Sequence, residues 1–266
     1  MTMSEVEMAE AANLQNAQRF VTIFESAKST GDVEQQVSLM DDIGNYNFEE
    51  LEDFYSGIIS KSDECDPRVV IRAIYGLSGL NYTSVNVHKS WDHLRHSVDS
   101  LTGLIERSVQ IFLARASSGE NALQPPPEPI NPDFIIAAMD SLSRMFYGER
   151  VIIRLETLIE RQAYEDLIEK AVQALGRHAV VGPNKFRIQA LGALFEIGGV
   201  SATGAIANAI EGNEPEVVSN AKRLLGKMGD IGMQLLRSIE ASGTNRLPAQ
   251  TPPTSNGSQG TRIRAR

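Results

Sequence analysis

Four times along the chain the same helix opening returns. Asp66-Pro67-Arg68-Val69 leads to Ala73, Leu77 and Leu80, and Asn131-Pro132-Asp133-Phe134 leads to Ala138, Leu142 and Met145 at identical spacing. Glu214-Pro215-Glu216-Val217 leads to Ala221, Leu225 and Met228 in the same register. A fourth copy runs from Pro183 through Phe186, Ala190, Leu194 and Ile197, with one extra residue after the proline. Proline at the first helical position lacks an N–H that the helix cannot use, and its φ is already helical. Asp66 and Asn131 stand where a side-chain oxygen caps the free N–H groups, while Glu214 and Gly182 are weaker caps. Apolar residues then follow at steps of three and four, so one stripe of each helix faces inward. The alanines sit mid-stripe, where a small side chain lets a second helix come close. Such repetition calls for helices stacked in an array, each burying a face on its neighbours.

At these residues the chain resembles the HEAT-like (armadillo-type) helical repeat family, whose second helix commonly opens with Asp-Pro-x-Val and continues to an Ala-x-x-x-Leu core. The resemblance is clearest over 182–240, where Ala190 and Ala221, and Gly198 and Gly229, are each 31 residues apart. It extends to Leu51–Leu80, with Leu51, Ile58 and Ile59 on a first helix. The copies begin at 66, 131, 183 and 214, so only the last two read as adjacent repeats and the earlier ones as isolated echoes. The resemblance implies an all-α fold, a right-handed superhelix or an irregular helical array, and a binding surface with no catalytic residues to carry over.

The pattern predicts helices near 14–29, 32–42, 48–60, 66–79 and 84–116. A second series follows near 132–147, 149–161, 164–179, 183–197, 200–211, 214–228 and 230–241. The segment 84–116 is the longest, and its apolar positions 87, 91, 94, 98, 101, 105 and 112 form a heptad-like seam broken only by Ser108. Packing inside the chain is the expected use of that seam; self-association through it is the alternative. Pro125-Pro126-Pro127 and Pro129 cannot continue a helix, so the main boundary is placed there. The expected organisation is an acidic helical part over 1–120, a proline-rich connector at 121–131, HEAT-like helices over 132–242, and a disordered basic tail at 243–266.

Charge is unevenly placed. Residues 1–66 carry 15 acidic and 3 basic side chains, while the remainder carries 19 acidic and 22 basic ones. An acidic front repels phosphates, so no nucleic acid is expected there, and a basic protein partner is the functional reading against a plain solvated face. The single cysteine, Cys65, forms no intrachain disulfide and fits a reducing cytoplasm. No apolar run is long enough for a membrane span, and the N-terminus lacks a signal-peptide pattern. Asn81-Tyr82-Thr83 and Asn256-Gly257-Ser258 match the glycosylation pattern and are expected to be idle.

Candidate chemistry is sparse. His88, Asp92 and His96 lie four apart on one helical face, a spacing that suits a transition metal. With Trp91 and Leu94 turned inward, His96 turns outward, and an open His/Asp row lacks the enclosing shell of a metal site. Gly199 to Gly204 begins like a phosphate loop but continues with Ala205-Ile206 where lysine and a hydroxyl are needed, so its glycines are expected to turn one helix into the next. Glu156, Glu160, Glu165 and Glu169 lack the Glu-x-x-His of a di-metal bundle. Neighbouring acids should disfavour a Cys65 thiolate, and His178 is expected to cap a helix C-terminus. Four arginines in the tail, Arg246, Arg262, Arg264 and Arg266, offer only weak, salt-sensitive attachment. No catalytic, cofactor or metal residue is assigned. The expected function is a non-enzymatic, cytoplasmic adaptor or scaffold for a protein partner. The rival is an enzyme on a HEAT-like body, since the family includes relatives of bilin-attaching lyases and base-excision glycosylases; the glycosylase version fits poorly with an acidic chain holding one tryptophan.

Overall fold

The computed structural model describes residues 5–44, 49–80, 87–117, 128–147, 158–211 and 214–244, and among them the chain is all-helical. The helices are α1 (Glu5–Thr30), α2 (Val33–Ile43), α3 (Glu52–Ser60), α4 (Pro67–Gly79), α5 (Val87–Ser117) and α6 (Pro132–Phe146). They continue as α7 (Leu158–Val180), α8 (Asn184–Ile197), α9 (Gly199–Asn208), α10 (Pro215–Leu225) and α11 (Gly229–Thr244). Pro125 to Pro127, Glu156 and the tail from 245 lie outside the described residues, as do both glycosylation patterns and the side chains of His88 and Glu160.

Packing sorts the helices into two rows. Each odd-numbered helix from α1 to α9 packs on the even-numbered helix that follows it. Helices α3, α5, α7, α9 and α11 also pack side by side, as do α2, α4, α6, α8 and α10. The four recurring openings begin α4, α6, α8 and α10, which are consecutive members of the even row. The reading of the earlier copies as isolated echoes is therefore corrected. Their intervals are uneven because the intervening odd helices span 31, 23 and 10 residues.

The local chemistry of the openings holds. Asp66 accepts from the Arg68 N–H at 2.9 Å and Asn131 from the Asp133 N–H at 3.0 Å, whereas Glu214 and Pro183 make no side-chain cap. Ala73, Ala138, Ala190 and Ala221 are fully buried, and so are Leu77, Leu142, Leu194 and Leu225. Ser141 on α6 ties the row together by donating to the Ile74 carbonyl of α4 at 3.1 Å. One continuous apolar core runs from Ala17 to Leu225, so side chains on both sides of the 121–131 segment share it.

Helix α1 begins at Glu5 rather than near Leu14, and the odd-numbered helices depart from expectation in two further places. The break expected between 161 and 164 is absent, because α7 runs unbroken through Arg161-Gln162-Ala163-Tyr164; residues 149–157 of the earlier expected segment lie outside the described residues. Those four residues include no glycine or proline to stop a helix. In α5, burial covers more than one seam. Trp91, Leu94, Val98, Leu101 and Ile105 are buried, but so are Leu104, Val109, Ser97, Thr102 and Ser108. Helices α3, α6 and α7 enclose it from three directions. The hydroxyls of Thr102 and Ser108 are satisfied by the Val98 and Ile105 carbonyls at 2.7 and 2.8 Å, so they enter the core at little cost. At 1.5 Å per residue α5 is about 46 Å long.

Candidate functional site

The outer face of the odd row carries a groove of about 660 Å³ between α5, α7 and α9. Val109 and Leu113 line it from α5, Val172 and Val180 from α7, and Ala205 from α9. Gly176 makes it narrow: a Cβ there would lie 3.3 Å from Ala205 Cβ, so bare backbone lets α7 and α9 approach. Leu113 is 44% exposed and Val180 is also exposed, so apolar surface remains open in this groove. Two ion pairs cross from α7 to α5 at its margin, Lys170–Asp99 at 2.7 Å and Arg177–Glu106 at 3.3 Å. A second groove of about 480 Å³, between α3 and α5, shares Gln110 with the first.

At the far end of α5 lies a cluster around an acid. Glu52, the first residue of α3, is 0% exposed. Its Oε1 accepts from Ser56 Oγ at 2.5 Å, and Ser56 Oγ in turn accepts from Ser100 Oγ at 2.9 Å. Its Oε2 faces two imidazoles of α5, with His93 Nδ1 at 3.4 Å and His96 Nδ1 at 3.6 Å. The carboxylate of Asp53 closes the group, one oxygen each of Asp53 and Glu52 and a ring nitrogen of His96 lying within 4.8 Å of one another. A carboxylate taken out of water needs such partners, because desolvation otherwise penalises its charge heavily.

Of the His88-Asp92-His96 row, the side chain of His88 lies outside the described residues, and the other two point to different partners. The Asp92 side chain is 67% exposed and lies 3.8 Å from Arg95. His96 is 60% exposed, as its place opposite the seam implies, yet its ring reaches back over Glu52. The member that sequence reading missed is Glu52. It stands in an acidic run, Glu49-Glu50-Leu51-Glu52-Asp53, in which Glu49 is buried as well, with nothing local to mark Glu52 as the acid that the two imidazoles face.

The other candidates resolve into structure. Gly198 and Gly199 take φ of +73° and +78°, ending α8 and starting α9, as expected of a helix-to-helix turn. Cys65 is half-buried, and its thiol is pushed up mainly by burial, with Glu64 and Glu25 adding to this against Lys28 and Lys61. The expected direction holds, but neighbouring acids are the lesser cause. His178 is fully buried in the last turn of α7, its Nε2 2.8 Å from Ser108 Oγ and its ring edge-on to Phe112 and Phe186. Burial lowers its pKa to about 4, so it is a neutral core residue joining α7 to α5 rather than a charged helix cap. Because Ser108 donates to Ile105, the hydrogen between the two side chains is assigned to Nε2.

No family model matches the chain, and no curated protein matches it in sequence. Among the described residues no helix is long and apolar enough to cross a membrane.

Proposed function

We propose that this chain is a non-enzymatic helical-repeat adaptor of the HEAT-like kind, holding a protein partner along its odd-numbered row. The observation that carries the reading is the open apolar groove across α5, α7 and α9, with Leu113 and Val180 exposed beside it. The even row supports it from behind, and its helices open alike at Pro67, Pro132 and Pro215. In stacked-hairpin architectures such a face is the usual binding surface. The occupant is an amphipathic helix whose apolar stripe fills the groove. Glu169 in the groove, and the acidic front over 1–66, suit a basic flank on that helix. A reducing cytoplasm suits the free thiol of Cys65.

A photo-crosslinker placed at Leu113 and run in the native cell tests this directly. The expected result is one dominant crosslinked protein that is lost from Leu113→Asp/Val180→Asp chains of unchanged helicity. Retention of that protein by the double variant sinks the groove. Deletion of residues 1–60 tests the acidic front in the same assay, and unchanged capture removes it from the interface.

A further inference from the structure

The Glu52 cluster has the donors and the support of a metal site. We propose that Glu52 Oε2, His96 Nδ1 and the Asp53 carboxylate bind one divalent transition ion of the zinc class, with a solvent-facing fourth position. The first argument is distance. A charge-assisted N–H to carboxylate contact closes to about 2.7–2.9 Å. His96 Nδ1 stays 3.6 Å from Glu52 Oε2, too far for that bond. Ligands held tetrahedrally about 2.0–2.2 Å from zinc are about 3.3–3.6 Å from one another. With its hydrogen on Nε2, His96 turns the Nδ1 lone pair toward Oε2, and a cation between the two is what makes that approach favourable.

The second argument is support. Metal-binding carboxylates are held by hydrogen bonds on the oxygen that does not ligate. Glu52 has this arrangement: the Ser100–Ser56 relay fixes Oε1, leaving Oε2 for the ion. His93, 3.4 Å from the same Oε2 and mostly buried, is a positioning residue that keeps the carboxylate turned toward His96. The third argument is access. Glu52 is buried while Asp53 and His96 are exposed, so an ion enters from solvent and meets a preformed anchor. Imidazole with carboxylate oxygen suits zinc, copper, iron and nickel rather than calcium or magnesium. His96 is the one member shared with the helix-face row read from the sequence, and the ligands now come from two helices.

The full chain, stripped with chelator and desalted, is titrated with zinc chloride and separately with cobalt chloride. One zinc per chain is expected, together with the intense visible absorption of tetrahedral cobalt. His96→Ala, on an exposed side chain that the fold tolerates, weakens zinc binding more than about tenfold, and Ser100→Ala weakens it about tenfold through the relay. Asp92→Asn leaves it unchanged. Absence of retained zinc overturns the site, as does equal affinity in folded His96→Ala chains. Loss with Asp92→Asn and not with Asp53→Asn also overturns it, assigning the ion to the helix face instead.

Discussion

The two rows share one core but follow different rules. Even-row helices α2, α4, α6, α8 and α10 run 11 to 15 residues, and four of them bury the same alanine and leucine at the same point. Odd-row helices α3, α5, α7, α9 and α11 run from 9 to 31 residues. The odd row also holds buried His178, buried Glu52 and the two grooves along α5, while a further cavity of about 690 Å³ lies by Arg144 and Phe195 of the even row. One row sets the spacing of the stack, and the other varies around it. A constant frame tolerates little change, while a variable row has room for chemistry.

The sharpest test of that contrast sets leucine against leucine. Leu142→Ala in the even row opens a cavity and is expected to cost about 2–5 kcal/mol. Leu113→Ala on the odd-row face is expected to stay within about 0.5 kcal/mol. Urea unfolding of both variants reads the difference, and similar losses would erase the distinction between the rows.

His178 predicts a pH effect confined to the odd row. Its folded pKa of about 4 lies below the ordinary 6.5, so the unfolded chain binds the proton first. Its contribution is complete above pH 6.5 and is lost as pH falls toward 4, by about 3 kcal/mol in all. In His178→Phe the stability difference between pH 7 and pH 4.5 should shrink by much of that amount. Asp41 and Asp66, whose carboxyls Arg72 and Arg68 hold below the usual range, act in a lower window common to both proteins.

Where the rows meet, Gly76 of α4 faces the ring of buried Tyr55 on α3. A Cβ there would come 2.6 Å from the ring. Gly76→Ala should therefore cost about 1–3 kcal/mol through overpacking, against the usual gain of alanine within a helix. A rise in melting temperature would show that α3 yields more readily than the even row does.

The smallest effect divides the even row itself. Asp66→Ala removes a formed cap and should cost about 1 kcal/mol, while Glu214→Ala removes none and should be near neutral. Equal losses would mean that the proline alone starts these helices.

Much of the even row was legible because its signals are local. Proline, a capping oxygen and apolar steps of three and four lie within fifteen residues of one another. The odd row was less legible because its signals are tertiary. Nothing near Arg161 to Tyr164 announces one long helix, and Ser108 looks like a flaw in a seam until α7 brings His178 to it. Glu52 is the clearest case. Its neighbours Glu49, Glu50 and Asp53 are chemically alike, Glu49 is buried as well, and only the approach of α5, some forty residues later, selects which carboxylate meets the two imidazoles. Asp53, His96 and the serine relay follow from that same approach.

The order of contacts also sets a clock for the molecule. Within each row a helix packs on the members immediately before and after it, so opening spreads pair by pair rather than across the whole chain. Amide hydrogens of α5 and α6, with hairpins stacked on both sides, should exchange last, and those of α1 and α11 first. A groove centred on α5 and α7 thus lies where the stack opens least often, and a partner lodged there would slow exchange outward toward the nearer end, through α9 to α11.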